Sequence, residues 1–403
     1  MNIIWGIGGI LVVLAIAFLL SSAKKSINYR TILGGLTIQI IFAFIVLKWE
    51  FGKNVLVNFS EGVQNVIGYA SEGVSFLFGP VADVENFGFV FAFQVLTVII
   101  FFSSLISVLY YLGIMQVMIK FIGGGLSKLL GTSKAESISA AANIFVGQTE
   151  APLIIRPFVA KMTKSELFAV MTGGLASVAG SVLVGYALLG VPLEYLLAAS
   201  FMAAPAGLVL AKLMIPETEE PDNEDFEMEK DQDSVNVIDA AARGASDGLK
   251  LALNVGAMLL AFIALIAMVN GILGGIGGWF GFESLSLEQI LGYVFAPLAF
   301  AIGVPWSEAV TAGSFIGQKL VLNEFVAYSA FAPEIANLSP KTVIVVSFAL
   351  CGFANLSSMA ILLGGLGALA PNRRGDIAKL GLRAVAAGML ASLLSAAIAG
   401  MFV

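Results

Sequence analysis

Residues 147–152 read Gly-Gln-Thr-Glu-Ala-Pro and lie inside an otherwise apolar segment that runs from residue 133 to residue 164. The apolar pieces on either side are about 10 residues long, half of what a helix needs to cross a bilayer core of about 30 Å. Two such pieces around a polar break can enter a membrane and return on the same side. The stretch therefore predicts a re-entrant hairpin, and with it a membrane protein.

A second polar interruption of the same kind occurs later in the chain. Residues 304–333 carry Asn-Glu-Phe at positions 323–325 between short apolar pieces, and Pro333 closes the unit. The two hairpins open alike, with Gly-Thr-Ser-Lys-Ala-Glu-Ser at 131–137 and Gly-Val-Pro-Trp-Ser-Glu-Ala at 303–309. Both openings suit helix starts, because serine caps helices and proline is favoured in the first turn.

Each hairpin is followed by a span that has its own polar break. Residues 174–178 and 352–356 share the pattern Gly-apolar-Ala-polar-apolar, with Ser177 and Asn355 at the polar position. Inverted repeats with interrupted helices place a substrate site near the bilayer midplane. The pairing therefore predicts an inverted repeat and a secondary transporter.

The rest of the chain is apolar enough to stay in the bilayer. Of its 403 residues, 59% are hydrophobic and 12% are charged, against about 25% charged in a soluble domain. The predicted fold is an all-α polytopic membrane protein with eight transmembrane helices, two oppositely facing re-entrant hairpins in an inverted repeat, and interfacial helices. The predicted spans are 3–22, 31–48, 87–114, 166–190, 194–214, 249–270, 341–369 and 376–402, and the predicted interfacial helices are 55–80, 115–130 and 285–301.

Charge sets the predicted orientation. The basic turns 24–30, 156–164 and 373–383 all fall on one side, which the positive-inside rule assigns to the cytoplasm. Both termini are then outside, and the acid-rich segment 216–239 is a solvated cytoplasmic loop. No Lys or Arg precedes the first apolar run, which favours a first span over a signal peptide. We expect a multi-pass protein of the cell inner membrane.

The predicted organisation has five parts. They are a scaffold with spans 1–3 and interfacial helices at 1–130, the first repeat with hairpin 1 and spans 4–5 at 131–215, the acidic cytoplasmic loop at 216–248, span 6 and the outer interfacial helix at 249–302, and the second repeat with hairpin 2 and spans 7–8 at 303–403.

Two carboxylates are predicted at bilayer depth, where each costs a few kcal/mol. Glu150 has Gln148 and Thr149 beside it, and Glu324 has Asn323. The span 7 break adds the polar side chains of Asn355, Ser357 and Ser358. Such a set suits a neutral, polyhydroxylated or heterocyclic solute. The alternative is that these groups only satisfy backbone groups freed at helix breaks.

A cation site is expected beside the first tip. Asn143 and Ser177 offer side-chain oxygens, and the backbone near Val146 and Val178 can offer free carbonyls. Hard cations prefer such oxygen ligands. Since the chain has no His, coupling to protons would have to use Glu150 or Glu324.

Other function classes fit the sequence poorly. An intramembrane serine protease needs a Ser–His pair and a metalloprotease needs its ligands, but the chain has no His and a single Cys. A prenyl-transfer enzyme would need Asp-rich metal-binding motifs at membrane depth, but the cluster of Asp residues lies in the predicted loop. A channel remains a rival, although two unlike polar tips suit ordered solute binding better than a filter of rings.

The motifs resemble the signatures of the concentrative nucleoside transporter family, in its sodium-coupled bacterial form. The resemblance is carried by Gly-Gln-Thr-Glu-Ala-Pro at 147–152, Asn-Glu-Phe-Val-Ala-Tyr at 323–328 and Cys-Gly-Phe-Ala-Asn-Leu-Ser-Ser at 351–358, and it extends over essentially the whole chain.

The resemblance implies specific roles for individual residues. Nucleobase recognition falls to Gln148, Thr149 and Glu150, with Val182 packing nearby. Ribose recognition falls to Glu324, Phe353, Asn355 and Ser358. A sodium site falls to Asn143, Val146, Ser177 and Val178, the two valines acting through their carbonyls.

The function that the resemblance implies is sodium-coupled symport of nucleosides into the cell by alternating access. Proton-coupled relatives tend to carry Ser where Thr149 stands, which favours sodium here. A proton-coupled nucleoside symporter is the alternative. Sodium is the expected coupling ion, and no organic cofactor, enzymatic activity or nucleic-acid polymer partner is expected. The resemblance also implies a homotrimer in the lipid bilayer.

Overall fold

The fold is all-helical throughout the part of the chain that the computed structural model describes, residues 2–221, 234–282 and 285–403. No strand occurs in these ranges, which confirms the predicted class of an all-α polytopic membrane protein. Most of the acidic residues of the predicted loop fall at 222–233 and lie outside the described residues, as do residues 283–284.

The longer helices follow the predicted order of spans, hairpins and interfacial segments. In chain order they are α1 Asn2–Leu19, α2 Tyr29–Ala43, α3 Glu50–Phe78, α4 Thr97–Tyr111, α5 Ile114–Leu130, α6 Lys134–Ala142, α7 Lys164–Ala176, α8 Gly180–Leu188, α9 Leu193–Met214, α10 Val237–Gly278, α11 Leu287–Ala301, α12 Trp306–Val321, α13 Glu324–Phe331, α14 Pro340–Leu350, α15 Ser358–Leu369 and α16 Arg374–Ala399.

Seven helical stretches of the described chain are long and apolar enough to cross a membrane. They are Asn2–Leu19, Tyr29–Lys48, Ala92–Tyr111, Lys164–Leu188, Leu193–Met214, Val237–Gly278 and Pro371–Ala399. They match seven of the predicted spans. The remaining predicted span, 341–369, consists of two shorter helices, α14 and α15, separated by a non-helical break. A total of eight spans therefore stays a prediction.

The helix α10 extends beyond the predicted span 6 at both ends. The predicted span covers 249–270, whereas α10 runs from Val237 to Gly278. Its start is fixed by Asn236, whose side-chain oxygen accepts hydrogen bonds from the backbone amides of Ile238 and Asp239, both at 3.0 Å. Because the helix is capped at Asn236, the polar residues before position 249 are helical, although the sequence pattern predicts a loop there.

Burial separates central helices from peripheral ones. In the stretch Lys164–Leu188, 94% of the apolar window is buried, and in Leu193–Met214 and Pro371–Ala399 the shares are 89% and 83%. In Ala92–Tyr111 and Val237–Gly278 they are only 22% and 17%. The repeat helices thus form the core, whereas most of the surface of the outer helices is not covered by the rest of the described chain.

The two hairpins begin as predicted. Ser133 caps α6 in a capping box with Glu136, and Pro305 is the residue before α12. The second arms differ, because α13 is one helix, whereas the first hairpin returns through two single turns, Ala151–Ile154 and Arg156–Val159. The arm α12 also turns back on α11 with a bend of 116°.

The shared sequence pattern lies differently relative to the two span breaks. The motif match pairs Gly174 with Gly352, but Gly174 lies inside α7, which continues to Ala176. Gly352 instead lies beyond the end of α14 at Leu350. The two breaks themselves do meet, because the backbone amide of Phe353 donates to the carbonyl of Ser177 at 3.1 Å.

The outer spans pack in two different ways. Helices α1 and α2 pack against α9 and α16 of the core, whereas α4 and α10 pack extensively against each other. The predicted scaffold of residues 1–130 therefore contains elements with different neighbours, and its boundaries remain a prediction.

The crossing of the two breaks has no room for a side chain at Gly352. A Cβ there would lie 2.8 Å from Ser392 Oγ and 2.9 Å from the Ala176 carbonyl oxygen. We predict that Gly352→Ala lowers the free energy of unfolding by about 1–3 kcal/mol, because backbone atoms would have to move apart. The measurement is thermal unfolding in detergent. Gly364→Ala in α15, where a Cβ would meet nothing within 4 Å, is the control. Equal melting temperatures for the two variants would contradict the tight crossing.

Candidate functional site

A buried carboxylate joins three elements in the middle of the fold. Glu324, the first residue of α13, is 5% exposed. Its Oε1 accepts a hydrogen bond from the Tyr186 hydroxyl of α8 at 3.2 Å, and its Oε2 accepts one from Asn355 Nδ2 at 3.0 Å. Both donors are neutral, so the carboxylate is oriented by hydrogen bonds while it retains acceptor capacity.

Asn355 organises the break between α14 and α15. Its Oδ1 accepts hydrogen bonds from the Ser357 hydroxyl at 2.7 Å and from the Ser358 backbone amide at 2.8 Å. The backbone amide of Leu356 also donates to the Leu320 carbonyl of α12 at 3.1 Å. These bonds fix the amide orientation and hold the break against the second hairpin, so three of the predicted sugar-site residues, Glu324, Asn355 and Ser358, lie together.

Asn323 adds an unused donor next to this network. Its Oδ1 caps α13 by accepting a hydrogen bond from the Val326 amide at 2.9 Å. Its Nδ2 is buried and has no hydrogen-bond partner among the described residues. Because a buried unpaired donor is costly, Nδ2 is suited to a ligand oxygen. Asn323 was noted beside Glu324 in the sequence but given no role.

Tyr186 is a second residue that sequence reasoning missed. It is fully buried, and its ring lies 4.7 Å from that of Phe325 and 4.4 Å from that of Tyr328, between ring centroids. The available signal was its position one turn after Val182, on the same helix face. Val182 itself is 2% exposed in α8.

The first hairpin tip has a different character. Gln148 is 6% exposed, and its Oε1 has no hydrogen-bond partner among the described residues. Thr149 lies against α15, since a Cβ on Gly365 would be 3.0 Å from Thr149 Cγ2. Glu150 is exposed, unlike Glu324. Of the predicted base-site residues, Gln148 thus offers a free acceptor, while Glu150 is exposed and its carboxylate lies close to Gly147.

Beside this tip, buried oxygens cluster where helices end. Asn143, the C-cap of α6, donates through Nδ2 to the Ser139 carbonyl at 2.9 Å, and its Oδ1 is buried with no partner in the described chain. The Ser177 hydroxyl donates to the Gly173 carbonyl at 2.9 Å, which leaves its lone pairs available. A Cβ on Gly173 would lie 3.4 Å from Asn143 Nδ2, so the two side chains approach the same turn of α7.

The other two predicted ligands of the cation are the carbonyls of Val146 and Val178. Within the described ranges, no backbone amide donates to either of them. Both residues are buried, at 7% and 0% exposure. Unpaired carbonyls at helix ends carry partial negative charge.

The two halves touch through the backbone rather than through their polar side chains. Phe353, which is half-buried, carries the amide that bonds to Ser177. No hydrogen bond in the described chain joins Gln148, Thr149 or Glu150 directly to Glu324, Asn355 or Ser358. The hydroxyls of Ser177 and Ser357 bond locally, as expected if they mainly support the breaks. The site is therefore two unlike polar surfaces on either side of one crossing.

Three family models match consecutive parts of the chain. The model described as "Na+ dependent nucleoside transporter N-terminus" matches residues 8–81, and "Nucleoside recognition" matches residues 92–193. The model described as "Na+ dependent nucleoside transporter C-terminus" matches residues 195–400.

Full-length relatives give the same assignment. An uncharacterized transporter, YutK, of Bacillus subtilis is 64% identical, with 100% of both chains covered. The nucleoside permease NupC of Helicobacter pylori is 52% identical over 99% of this chain and 98% of its own. The structure of CNTnw in an inward-facing substrate-bound state is 58% identical, with a TM-score of 0.96 over 100% of this chain and 98% of that one. The chain therefore belongs to the concentrative nucleoside transporter family, and it is a membrane transporter rather than an enzyme.

Proposed function

We propose that this protein carries nucleosides into the cell by sodium-coupled symport. The observation that carries the proposal is the buried Glu324 carboxylate, held by Tyr186 and Asn355 at the second hairpin of a chain in a nucleoside transporter family. A carboxylate accepts hydrogen bonds from two vicinal hydroxyls, which a ribose presents and a free base lacks. Nothing covalent happens in the transport cycle.

The sugar half is formed by Glu324, Phe353, Asn355 and Ser358. Glu324 accepts from the ribose hydroxyls, and Asn355 holds the carboxylate in place. The unpaired Nδ2 of Asn323 is a further donor for a sugar oxygen. The half-buried ring of Phe353 gives the sugar an apolar surface.

The base half is formed by Gln148, Thr149 and Glu150, with Val182 packing nearby. The free Oε1 of Gln148 supports this role, since an amide can read the donor and acceptor pattern of a base edge. Glu150, being exposed, is free to accept from a base amino or imino group.

Sodium fits the oxygen group beside the first tip. The proposed ligands are all neutral oxygens: Asn143 Oδ1, Ser177 Oγ and the carbonyls of Val146 and Val178. A hard monovalent cation can be bound by such oxygens without a carboxylate among its ligands. Bound there, the ion would supply positive charge to freed carbonyls and order the tip next to Gln148. The names of two matching family models, which say Na+ dependent, support the same ion.

Proton coupling is the alternative. Glu150 and Glu324 are the acids that would have to carry the proton, because the chain has no His. The unpaired Asn143 oxygen supports sodium, since a neutral amide oxygen can coordinate a cation but is too weak a base to carry a proton.

Transport by alternating access completes the proposal. The hairpins with spans 4, 5, 7 and 8 would move as one body against a frame that includes spans 3 and 6. We further propose a homotrimer in the cell inner membrane, with both termini outside and the acidic segment in the cytoplasm. The basic turns 24–30, 156–164 and 373–383 support this orientation.

The coupling ion is tested by uptake of radiolabelled uridine into proteoliposomes. We expect an inward sodium gradient to accelerate uptake, because sodium and nucleoside bind the same state of the first tip. Potassium in place of sodium, and a proton gradient without sodium, are the comparisons. Equal uptake with and without sodium would contradict sodium coupling, and acceleration by protons alone would establish the alternative.

The sugar half is tested by Glu324→Gln. The change removes the charged acceptor, and we expect uridine affinity to fall by about tenfold or more. Isothermal titration of the purified protein with uridine measures it. Glu308→Gln, the same change at the opening of the same hairpin, is the matched control and should keep wild-type affinity. Wild-type binding by Glu324→Gln would remove Glu324 from the sugar site.

The ion site is tested by Asn143→Ala. Loss of one oxygen should raise the sodium concentration for half-maximal thermal stabilisation by about tenfold. Asn337→Ala, at an asparagine outside the site, serves as control. An unchanged sodium requirement would exclude Asn143 as a ligand.

A further inference from the structure

One buried charge has no part in the function proposed above. Lys319 lies in the last turn of α12 and is fully buried, with an exposure of 0%. Its Nζ donates to the Ala349 carbonyl at 2.8 Å and to Ser392 Oγ at 3.0 Å. Lysine is almost never fully buried unless paired, so a lysine held by neutral oxygens calls for an explanation.

The partners of Lys319 lie at the end of a half-helix. Ala349 is the last residue but one of α14, and the chain leaves the helix at Cys351. The last carbonyls of a helix lack intrahelical partners and carry partial negative charge. Ser392 links the ammonium to a second carbonyl beyond the helix end, because its hydroxyl donates to the Cys351 carbonyl at 3.2 Å. The ammonium thus stabilises the carbonyls that the break in span 7 sets free.

The first repeat has the same architecture with an open position. Its half-helix α7 ends beside Ser177 and Val178, and its hairpin arm α6 ends at Asn143. In the second repeat, α14 corresponds to α7 and α12 to α6. Lys319 therefore lies at the end of its hairpin arm and faces the end of its half-helix, as Asn143 does in the first repeat. At this place the first repeat has the Asn143 oxygen without a hydrogen-bond partner in the described chain, and the second repeat has the ammonium group of Lys319.

We propose that Lys319 is a tethered cation that occupies, in the second repeat, the position that sodium takes in the first. The proposal rests on the proposed sodium-coupled function. Lys319 is then a positioning residue for the sugar half. Its charge holds the span 7 break in its ordered form whether or not sodium is present, and Asn355 and Glu324 stay arranged for substrate.

The surrounding charges agree with this role. Lys319 interacts electrostatically with Glu324, five residues further along the same hairpin. A buried carboxylate is costly without a compensating charge. Lys319 thus balances the negative charge of the sugar half without forming a direct ion pair that would compete with ribose.

The test separates sugar-site positioning from sodium binding and from general stability. Purified full-length protein is titrated with uridine at saturating sodium, and separately with sodium in a thermal unfolding assay without uridine. For Lys319→Gln, we expect the uridine Kd to rise about tenfold, while the sodium concentration for half-maximal stabilisation stays within about twofold of wild type. Lys319→Arg, which keeps the charge, should recover most of the affinity.

A second buried lysine supplies the matched control. Lys212 is 5% exposed and pairs with Glu136 at 2.7 Å, away from both breaks. Lys212→Gln should lower the melting temperature and leave the uridine Kd unchanged. If Lys319→Gln does not fold, Ser392→Ala, which removes one acceptor of the ammonium, should raise the uridine Kd by about twofold to threefold and leave sodium binding unchanged.

Specific outcomes would overturn the proposal. Wild-type uridine affinity in the folded Lys319→Gln protein, or in Ser392→Ala where only that variant folds, would remove Lys319 from any positioning role. An equal loss of uridine and sodium binding, or an equal loss of uridine binding in Lys212→Gln, would show a general structural effect. A wild-type protein that does not bind uridine in sodium would instead contradict the proposed function itself.

Discussion

The fold depends on the crossing of two interrupted helices, where the Phe353 amide bonds to the Ser177 carbonyl. Each interruption frees backbone groups that have to be satisfied away from water. Gly352 permits the close approach, since a side chain there would meet the Ala176 carbonyl. The same crossing presents the ends of two half-helices in one place. The packing of the interrupted helices thus exposes the unpaired polar groups that the proposed binding uses.

The two repeats satisfy these groups differently. In the second repeat most of these groups are paired internally, with Lys319 on the Ala349 carbonyl and Asn355 joined to Glu324, and Asn323 Nδ2 is left without a partner in the described chain. In the first repeat, the oxygen atoms of Asn143 and Gln148 are buried without partners in the described chain. In the proposed function this difference gives two unlike halves, a preformed surface for a sugar and an open one for an ion and a base. We propose that this difference is the physical reason for coupling the binding of ion and solute at the first tip.

Much of this architecture could be predicted because polar residues in apolar segments are conspicuous. The tips at Glu150 and Glu324 and the break at Asn355 followed from that contrast alone, whereas their roles came from family resemblance. Tyr186 and Lys319 were missed, since a lone tyrosine or lysine near the end of an apolar run reads as an interface residue. The shared pattern at 174–178 and 352–356 lies differently in the two breaks, because a short pattern cannot reveal where each helix ends. That depends on tertiary contacts such as the Gly352 crossing.

In the proposed transport cycle, one substrate bridges two unlike halves of a single site. The most direct measurement is an experimental structure of the protein with uridine and sodium bound. We expect the base beside Gln148 and Thr149, the ribose hydroxyls within hydrogen-bond distance of Glu324, and an ion between Asn143 and Ser177. A structure in which base and ribose both lie against the same hairpin, or in which the Asn143 oxygen faces no ion, would contradict it.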